Sequence, residues 1–579
     1  MIKKLIRQML AAQTVSALTV SLCLLIDNIM IGRFFGTAAL AAYGLANPIL
    51  LVIGALGSML SAGVQVVCSK SLGKGSQEET NAGYSSAVMI AGAISVIFLL
   101  IVILFRIPLA GLMGANTPEL LHETETYMAG FTIGAPASMG ALILVPFLQM
   151  AGQSNLLIAA VLGMTISDVG FDLLNALVFN GGMFGMGLAY SLSYYIAILI
   201  GGWYFLSKKC VFKFSFRLVS RKKIKELFVG GIPTMFGLAS SVVLVYVMNN
   251  LLLNAGGHEA VAAFSVACTL GNASNCISTG SGGVALTLSG ILYHEEDRTG
   301  LKEFFNRIVL YAAILGIAVM AVLLVAAPAC VGLFIPDGGE SYNLAVTALR
   351  CYSFGLIPCC INYVIKNCYL GTGKIKTMEV LSVLECAVLP ILSALVLGSA
   401  AGVSGMWFYF LGGEMLTLIL VMIYVWIRKK KVTFDAQDIL LLSRELGVPA
   451  ADLMESDLHD LDEVMKFSRK AGEFCLDRSH DTRLSGRVSL CIEEMGTNII
   501  QHGFGRDKKQ NNLSAKLQFK DSRFVLRFRD DCRAFDPVSH MPQPGDEKYL
   551  GILLMLKMAD EARYTYSLNL NNLTLVLRG

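Results

Sequence analysis

The chain has 579 residues, 55% of them hydrophobic and only 15% charged, a balance that excludes a wholly soluble protein and a disordered one. Charge is also segregated. Residues 432–579 hold 43 charged residues with a net of −3, whereas residues 1–431 hold 45 with a net of +7. A lipid-embedded block followed by a soluble domain of viable size fits these numbers. The 14 cysteines form no CxxC pair and lie mostly in apolar runs, which argues against disulfides and zinc and for a reducing compartment.

The basic start MIKKLIRQML leads straight into an apolar helix, without the short apolar stretch and cleavage site of a signal peptide. Apolar runs of about 20 residues, the length a spanning helix needs, fall near 10–32, 46–70, 85–112, 127–150, 156–178 and 185–206. Six more fall near 227–252, 261–291, 304–333, 343–370, 377–399 and 403–427. The two sets are copies. At a fixed offset of 221, Gly36, Ala39, Ala41, Ala42 and Ala46 recur as Gly257, Ala260, Ala262, Ala263 and Ala267, Gly134 as Gly355, and Gly152 as Gly373. The expected fold is an all-α polytopic membrane domain of twelve spans in two six-helix lobes, 1–216 and 217–431. A linker at 432–456 and a soluble domain at 457–579 follow.

Lysine and arginine set the orientation. Lys3, Lys4 and Arg7 precede the first span, and Lys70 and Lys74 follow the second. The segment Lys208 to Lys225 follows the sixth, Lys374 and Lys376 the tenth, and Arg428 to Lys431 the twelfth. With twelve spans all of these share one side, so both termini and the soluble domain are expected in the cytoplasm of a cell (inner) membrane protein.

Acids inside apolar spans cost several kcal/mol and persist mainly where they face a cavity. Asp27 lies late in the first span. Asp168, Asp172 and Asn175 follow one another at i, i+4 and i+7 in the fifth, on one helical face. Two carboxylates that close do not both ionise easily away from water, which suits reversible protonation or a monovalent cation site. The competing reading, acids capping loops at the membrane edge, is strongest for Asp27. At the repeat offset these acids become Met248, Leu389 and Ser393, so the ion site is expected in the first lobe, with Glu385 and Glu414 as the buried acids of the second. Pro48, Pro136, Pro233 and Pro358 interrupt helices as kinks. The 25 methionines fit both ordinary packing and an adaptable chamber.

The stretch DNIMIGRFFGTAALAAYGLANP, then SAGVQVVCSKSLGKG, with MAGQSN and YLGTGKIKT after the fourth and tenth spans, resembles the multidrug and toxic compound extrusion (MATE) family over residues 5–428. The resemblance implies a central chamber, alternating access driven by entry of H⁺ or Na⁺, and a small organic substrate, cationic or amphipathic. It carries the family's first-helix aspartate onto Asp27. Its fifth-helix Asn-x-x-x-Asp pattern falls on Asp168 and Asp172, with Asp where Asn is usual, which leaves H⁺ and Na⁺ both open.

Beyond the basic RKKKV at 428–432, residues 433–457 read as a linker with a short strand and turn. A helix runs through Leu461, Val464, Phe467, Ala471 and Phe474, and a second covers 482–502. LSAKLQFK and RFVLRFRD form a hairpin turning at Asp521-Ser522. A Pro/Gly loop at 542–545, a short helix YLGILLMLKMADEA, and strands YTYSLNL and LTLVLR close an α+β sandwich. Glu494, Asn498 and His502 are spaced by four on the second helix. A carboxylate that takes a proton beside an amide oxygen that binds Mg²⁺ suits phosphoryl transfer from ATP, although a solvated helix face is the blander alternative.

With Asp530 ending a strand and a glycine-bearing helix after it, residues 455–578 resemble the GHKL (Bergerat-like) ATPase fold, most closely the anti-sigma-factor serine kinases. The resemblance implies Glu494 as the activating base, Asn498 on Mg²⁺, Asp530 on the adenine amino group, and His502 and Gly551 beside the nucleotide. Two departures stand out: the D-x-G-x-G loop reads Asp530-Asp531-Cys532-Arg533-Ala534, and the later glycine-rich lid is reduced to Leu550-Gly551-Ile552.

Three functions follow. The first is a cation-coupled exporter with a nucleotide-binding regulator. The second is a membrane sensor whose C-terminal domain phosphorylates a cytoplasmic regulatory protein, and the third is a lipid or precursor flippase. No G-x-x-x-x-G-K-[ST] loop is present to power transport by ATP. His122, His258 and His294 lack metal-ligand spacing and read as solvated loop residues. The Arg523, Arg527, Arg529 cluster reads as partnered by neighbouring acids, and no pattern points to nucleic acid.

Overall fold

The computed structural model describes residues 2–207, 210–335, 339–431, 433–443, 445–504, 511–539 and 550–579. The first lobe comprises α1 (Ile2–Phe34), α2 (Gly36–Gly73), α3 (Gln77–Leu112), α4 (Pro118–Thr132), α5 (Ala135–Met150), α6 (Ser154–Leu174) and α7 (Gly182–Leu206), with α6 prolonged by a π-helical turn, Asn175–Phe179. The second comprises α8 (Arg221–Ser274), α9 (Cys276–His294), α10 (Arg298–Gly332), α11 (Glu340–Phe354), α12 (Leu356–Gly371), α13 (Ile375–Val383), α14 (Leu389–Met406) and α15 (Tyr409–Lys429). Among the described residues eight helical stretches are long and apolar enough to span a membrane, or ten when each bent pair counts as one span. One of them, Arg221–His294, breaks at Gly257 into two pieces, and α1, 33 residues long, precedes the first of the eight.

The repeat is built into the backbone. Gly36 and Gly257 hold φ of 87° and 66°, and Gly152 and Gly373 hold 73° and 81°, a left-handed region open to glycine at little cost. At Gly134 and Gly355 the α4–α5 and α11–α12 pairs bend by 49° and 45°. The lobes meet where α2 packs on α8 and α9, and α1 on α9. Gly63 and Gly231 leave the helices room to touch there, because a Cβ on either would strike the facing backbone at Leu227 or Met59.

At the end carrying Lys70 and Lys74 the lobes are joined by buried polar groups. Thr287 Oγ1 of the second lobe lies 3.4 Å from both Gln65 Oε1 and Gln149 Oε1 of the first, where Gln149 Oε1 also accepts from the Gln13 amide at 2.7 Å. Each such bond is worth about 1 kcal/mol in a membrane interior.

A strap with one turn of helix, α16 (Ala436–Ile439), leads to the C-terminal domain. Its sheet is antiparallel throughout, in the order β1 (Leu453–Leu458), β2 (Leu513–Lys520), β3 (Arg523–Asp530), β5 (Leu570–Arg578), β4 (Glu561–Ser567). The domain therefore begins at Leu453, because β1 pairs with β2. Asp521-Ser522 turns the first hairpin, with φ of 50° and 59°. Leu568-Asn569 turns the second, with 57° and 61°, the primed geometry that matches strand twist.

The inward face of Leu513, Ala515, Leu517, Phe524, Leu526, Phe528, Leu573 and Leu575 is covered by α17 (Leu461–Ser479), α18 (Thr482–Asn498) and α19 (Leu550–Met558). Asp460 and Asp481 cap α17 and α18 by accepting N–H groups of their first turns. The helix expected through Ala562 stops at Met558, because residues from Glu561 pair with β5. The expected Pro/Gly loop at 542–545 lies outside the described residues.

Candidate functional site

Asp27 on α1 and Asp168 and Asp172 on α6 are buried, with exposures of 6%, 3% and 2%, and close enough for their charges to interact. Asp168 Oδ1 and Asp172 Oδ2 have no hydrogen-bond partner, and among the described residues no lysine or arginine pairs with either. Cys23, donating to Thr165 Oγ1 at 3.3 Å, Ser193, Tyr127 and Tyr194 complete the surroundings. These five escape sequence reasoning because small polar and aromatic residues are ordinary in apolar helices. Asn175 is buried as well, but its amide is occupied. Oδ1 accepts from Gly181 N–H and Nδ2 donates to the Gly182 carbonyl, both at 3.0 Å, closing the turn after the π-helical segment.

In the second lobe one of the two buried acids is paired with a buried lysine. Lys366 on α12 pairs with Glu385 at 2.8 Å, each 4% exposed, and its ammonium lies 3.7 Å from the Tyr363 ring centroid. Asn362 donates to Glu414 Oε2 at 2.6 Å. The lysine escapes sequence reading because it lies within the 343–370 apolar run with no partner visible nearby, whereas α12 carries it beside Glu385 inside the bundle. Removing one partner of such a pair strands the other, at a cost of about 3–5 kcal/mol.

In the C-terminal domain a cavity of about 480 Å³ gathers Asn498, His502 and Asp530 with Met495, Ile499, Phe535, Tyr564, Asn571 and Leu573. Asp530 is 4% exposed and accepts from the Asn571 amide at 2.8 Å and from Cys532 N–H at 3.0 Å. Burial pushes its carboxyl above the ordinary value, and those two donors oppose the rise. The apolar walls and a buried carboxylate fit a planar heterocycle bearing an amino group. Glu494 does not line this cavity; it faces Gly551, where a Cβ would strike its carboxylate. His502 is exposed and lies in a π-helical turn, Ile499–Gly503, so the spacing of four no longer keeps it in line with Glu494 and Asn498. Asp531, at the first variable position of the D-x-G-x-G loop, accepts from Asn512 N–H at 2.7 Å and so ties down the start of β2. Among the described residues no group of three or more His, Cys, Asp or Glu side chains could hold a metal ion.

The polar face of the sheet is buried against the membrane half. Lys516 meets Asp297 at 2.6 Å, Lys520 meets Glu296 at 2.6 Å, and Arg529 meets Glu295 at 2.7 Å, while Arg527 donates to the Glu295 carbonyl at 3.1 Å. Burial would raise the Asp297 carboxyl, but Lys516, the Gly300 N–H and Arg529 together bring it down to about 2. The acids that partner Arg527 and Arg529 are therefore not sheet neighbours but a loop more than 200 residues upstream. A sequence signal existed: Glu295-Glu296-Asp297 is acidic on the side where the other loops are basic. His294 ends α9, half-buried, with a ring nitrogen 2.8 Å from the Gly290 carbonyl, and is not a solvated loop residue.

Three kinds of likeness accord with this geometry. The MatE family profile matches residues 13–174 and 233–396, and that of the histidine kinase-like ATPase domain matches 458–577. The chain is 22% identical to the multidrug export protein MepA of Staphylococcus saprophyticus over 419 residues, 71% of this chain and 91% of that one. It is likewise 22% identical to MepA of Staphylococcus aureus over 418 residues, 71% and 90%. Among solved structures, an outward-facing multidrug resistance MATE transporter aligns with a TM-score of 0.67 at 20% identity, covering 74% of this chain and 97% of that one. A MOP-superfamily transporter from Pyrococcus furiosus gives 0.67, 20%, 74% and 96%.

Proposed function

Given that the chain belongs to the MatE family and is a multi-pass membrane transporter with a C-terminal histidine kinase-like ATPase domain, we propose that it exports small organic compounds in exchange for H⁺ or Na⁺. The observation that carries this reading is the contrast in compensation. Asp27, Asp168 and Asp172 are buried together, and among the described residues no cation pairs with Asp168 or Asp172, each of which keeps one oxygen without a partner. In the second lobe Lys366 pairs with Glu385 and Asn362 donates to Glu414. A buried carboxylate cluster of that kind is stable only if a proton or a cation joins it. The entering ion does so, and its arrival alters the charge of the chamber from which a cationic or amphipathic substrate leaves. MepA, named as a multidrug exporter, supports that substrate class. The basic loops support a reading with both termini on the cytoplasmic side.

The C-terminal domain serves as a nucleotide-binding regulator. Asp530 receives the base amino group, and Asn498 stands where Mg²⁺ and phosphates would lie. Purified full-length protein in proteoliposomes tests the transport reading. Imposed Na⁺ and pH gradients should each be tried with a fluorescent cationic dye, and one should drive its accumulation at least tenfold above protein-free vesicles. Accumulation indifferent to both gradients rejects the exchange mechanism.

A further inference from the structure

The C-terminal sheet grips both lobes at once, the second by its charged face and the first by its last hairpin turn. On the second lobe, Arg529 and Lys516 hold Glu295 and Asp297, directly after α9. On the first, the Leu568-Asn569 turn gives the Leu568 N–H to the Met150 carbonyl at 2.7 Å, and Gly152 beside it leaves no room for a Cβ against the same turn. Both anchor points adjoin the polar contact between the lobes: Gln149 precedes Met150, and Thr287 lies about two helical turns before Glu295. Alternating access requires the lobes to part at this end in one half of the cycle. With one rigid sheet bound to both, they cannot.

We propose that the C-terminal domain is a clamp that keeps the lobes closed at their basic end, and that a purine nucleotide in the Asp530–Asn571 cavity sets its grip. The first half stands on the docking geometry alone; the second rests on the nucleotide reading above. Strand alternation supplies the link. Arg529 pairs across the ladder with Asn572, and Asp530 with Asn571. Successive residues point to opposite faces, so the Arg529–Asn572 rung, bonded at 2.7 Å, faces Glu295, and the adjoining Asp530–Asn571 rung lines the cavity. A ligand that draws on Asp530 shifts the rung next to the one that holds the transporter.

Full-length protein carrying spin labels at positions 74 and 376, one on each lobe, reads the clamp as a distance distribution. Glu295→Lys and Arg529→Glu, each alone, should add a longer-distance population and change dye export severalfold, and the two together should restore the wild-type distribution. Unchanged distances in the single variants, or a double variant as open as either, overturn the clamp. Fluorescent ATP added to the same full-length protein should bind and shift the distribution. Binding without a shift overturns the coupling and leaves the nucleotide reading intact. No binding removes both of those, and the charge swap still decides the clamp.

Discussion

Gly36, Gly134 and Gly152 in the first lobe, and Gly257, Gly355 and Gly373 in the second, bend the chain at matching places, yet the charges hung on that frame do not match. Asp27, Asp168 and Asp172 correspond to Met248, Leu389 and Ser393, while Lys366, Glu385 and Glu414 correspond to Val145, Met164 and Ser193. The loops diverge in the same way: Lys74-Gly75-Ser76 becomes Glu295-Glu296-Asp297. Ser76 and Asp297 both cap the next helix, and Gly75 and Glu296 share a left-handed backbone, with φ of 68° and 58°. Duplication fixed the bends, and the side chains then specialised. One lobe carries acids with no cation paired to them among the described residues; the other pairs Glu385 with Lys366 and offers a loop to the sheet.

The largest effect expected of breaking this asymmetry is on stability. Lys366→Met should lower unfolding free energy by about 3–5 kcal/mol by stranding Glu385, seen as a fall in thermal midpoint in detergent, and adding Glu385→Leu should recover most of it. An equal loss in single and double variants would show that the pair does not hold the second lobe. Next is transport: Asp168→Asn or Asp172→Asn should cut gradient-driven export about 100-fold, equivalent to about 3 kcal/mol of ion binding, with the thermal midpoint preserved. Glu414→Gln should cost less than about tenfold on the same scale; parity between the lobes would erase the contrast.

Smaller again is Glu296→Gly, which gives the second lobe the glycine of the first. Relief of the left-handed backbone, about 1 kcal/mol, offsets the loss of a half-exposed ion pair worth about 0–1 kcal/mol, so calorimetry should register little change. Smallest is the effect of neutral pH on docking. The Asp297 carboxyl sits at about 2, below its ordinary 3.8, so its contribution is complete above about 4 and lost as pH falls toward 2. Proximity of the sheet to the 295–297 loop, read by energy transfer between labels, should stay constant from pH 5 to 8.

Much of the architecture was legible because repeated glycines and apolar lengths report backbone demands directly. The buried aspartates were legible too, since a charge inside an apolar run is rare. What escaped depends on contacts distant in sequence. Asn175 shares a helical face with Asp172, yet the π-helical turn after it turns its amide to the backbone of Gly181 and Gly182. The alternation in RFVLRFRD shows that one face of β3 is polar, but not that it meets acids from another domain. The spacing of Lys366 and Glu385 in the sequence does not pair them; α12 does, by burying the lysine against the acid.

Charge displacement on a sudden Na⁺ or H⁺ concentration step, recorded from the reconstituted full-length chain on a supported membrane, tests the central claim most directly. Wild type and the Lys366→Met, Glu385→Leu variant should both give a transient current as the ion enters the first lobe, and Asp27→Asn, Asp168→Asn and Asp172→Asn combined should abolish it. A transient that survives loss of all three first-lobe carboxylates would contradict the account.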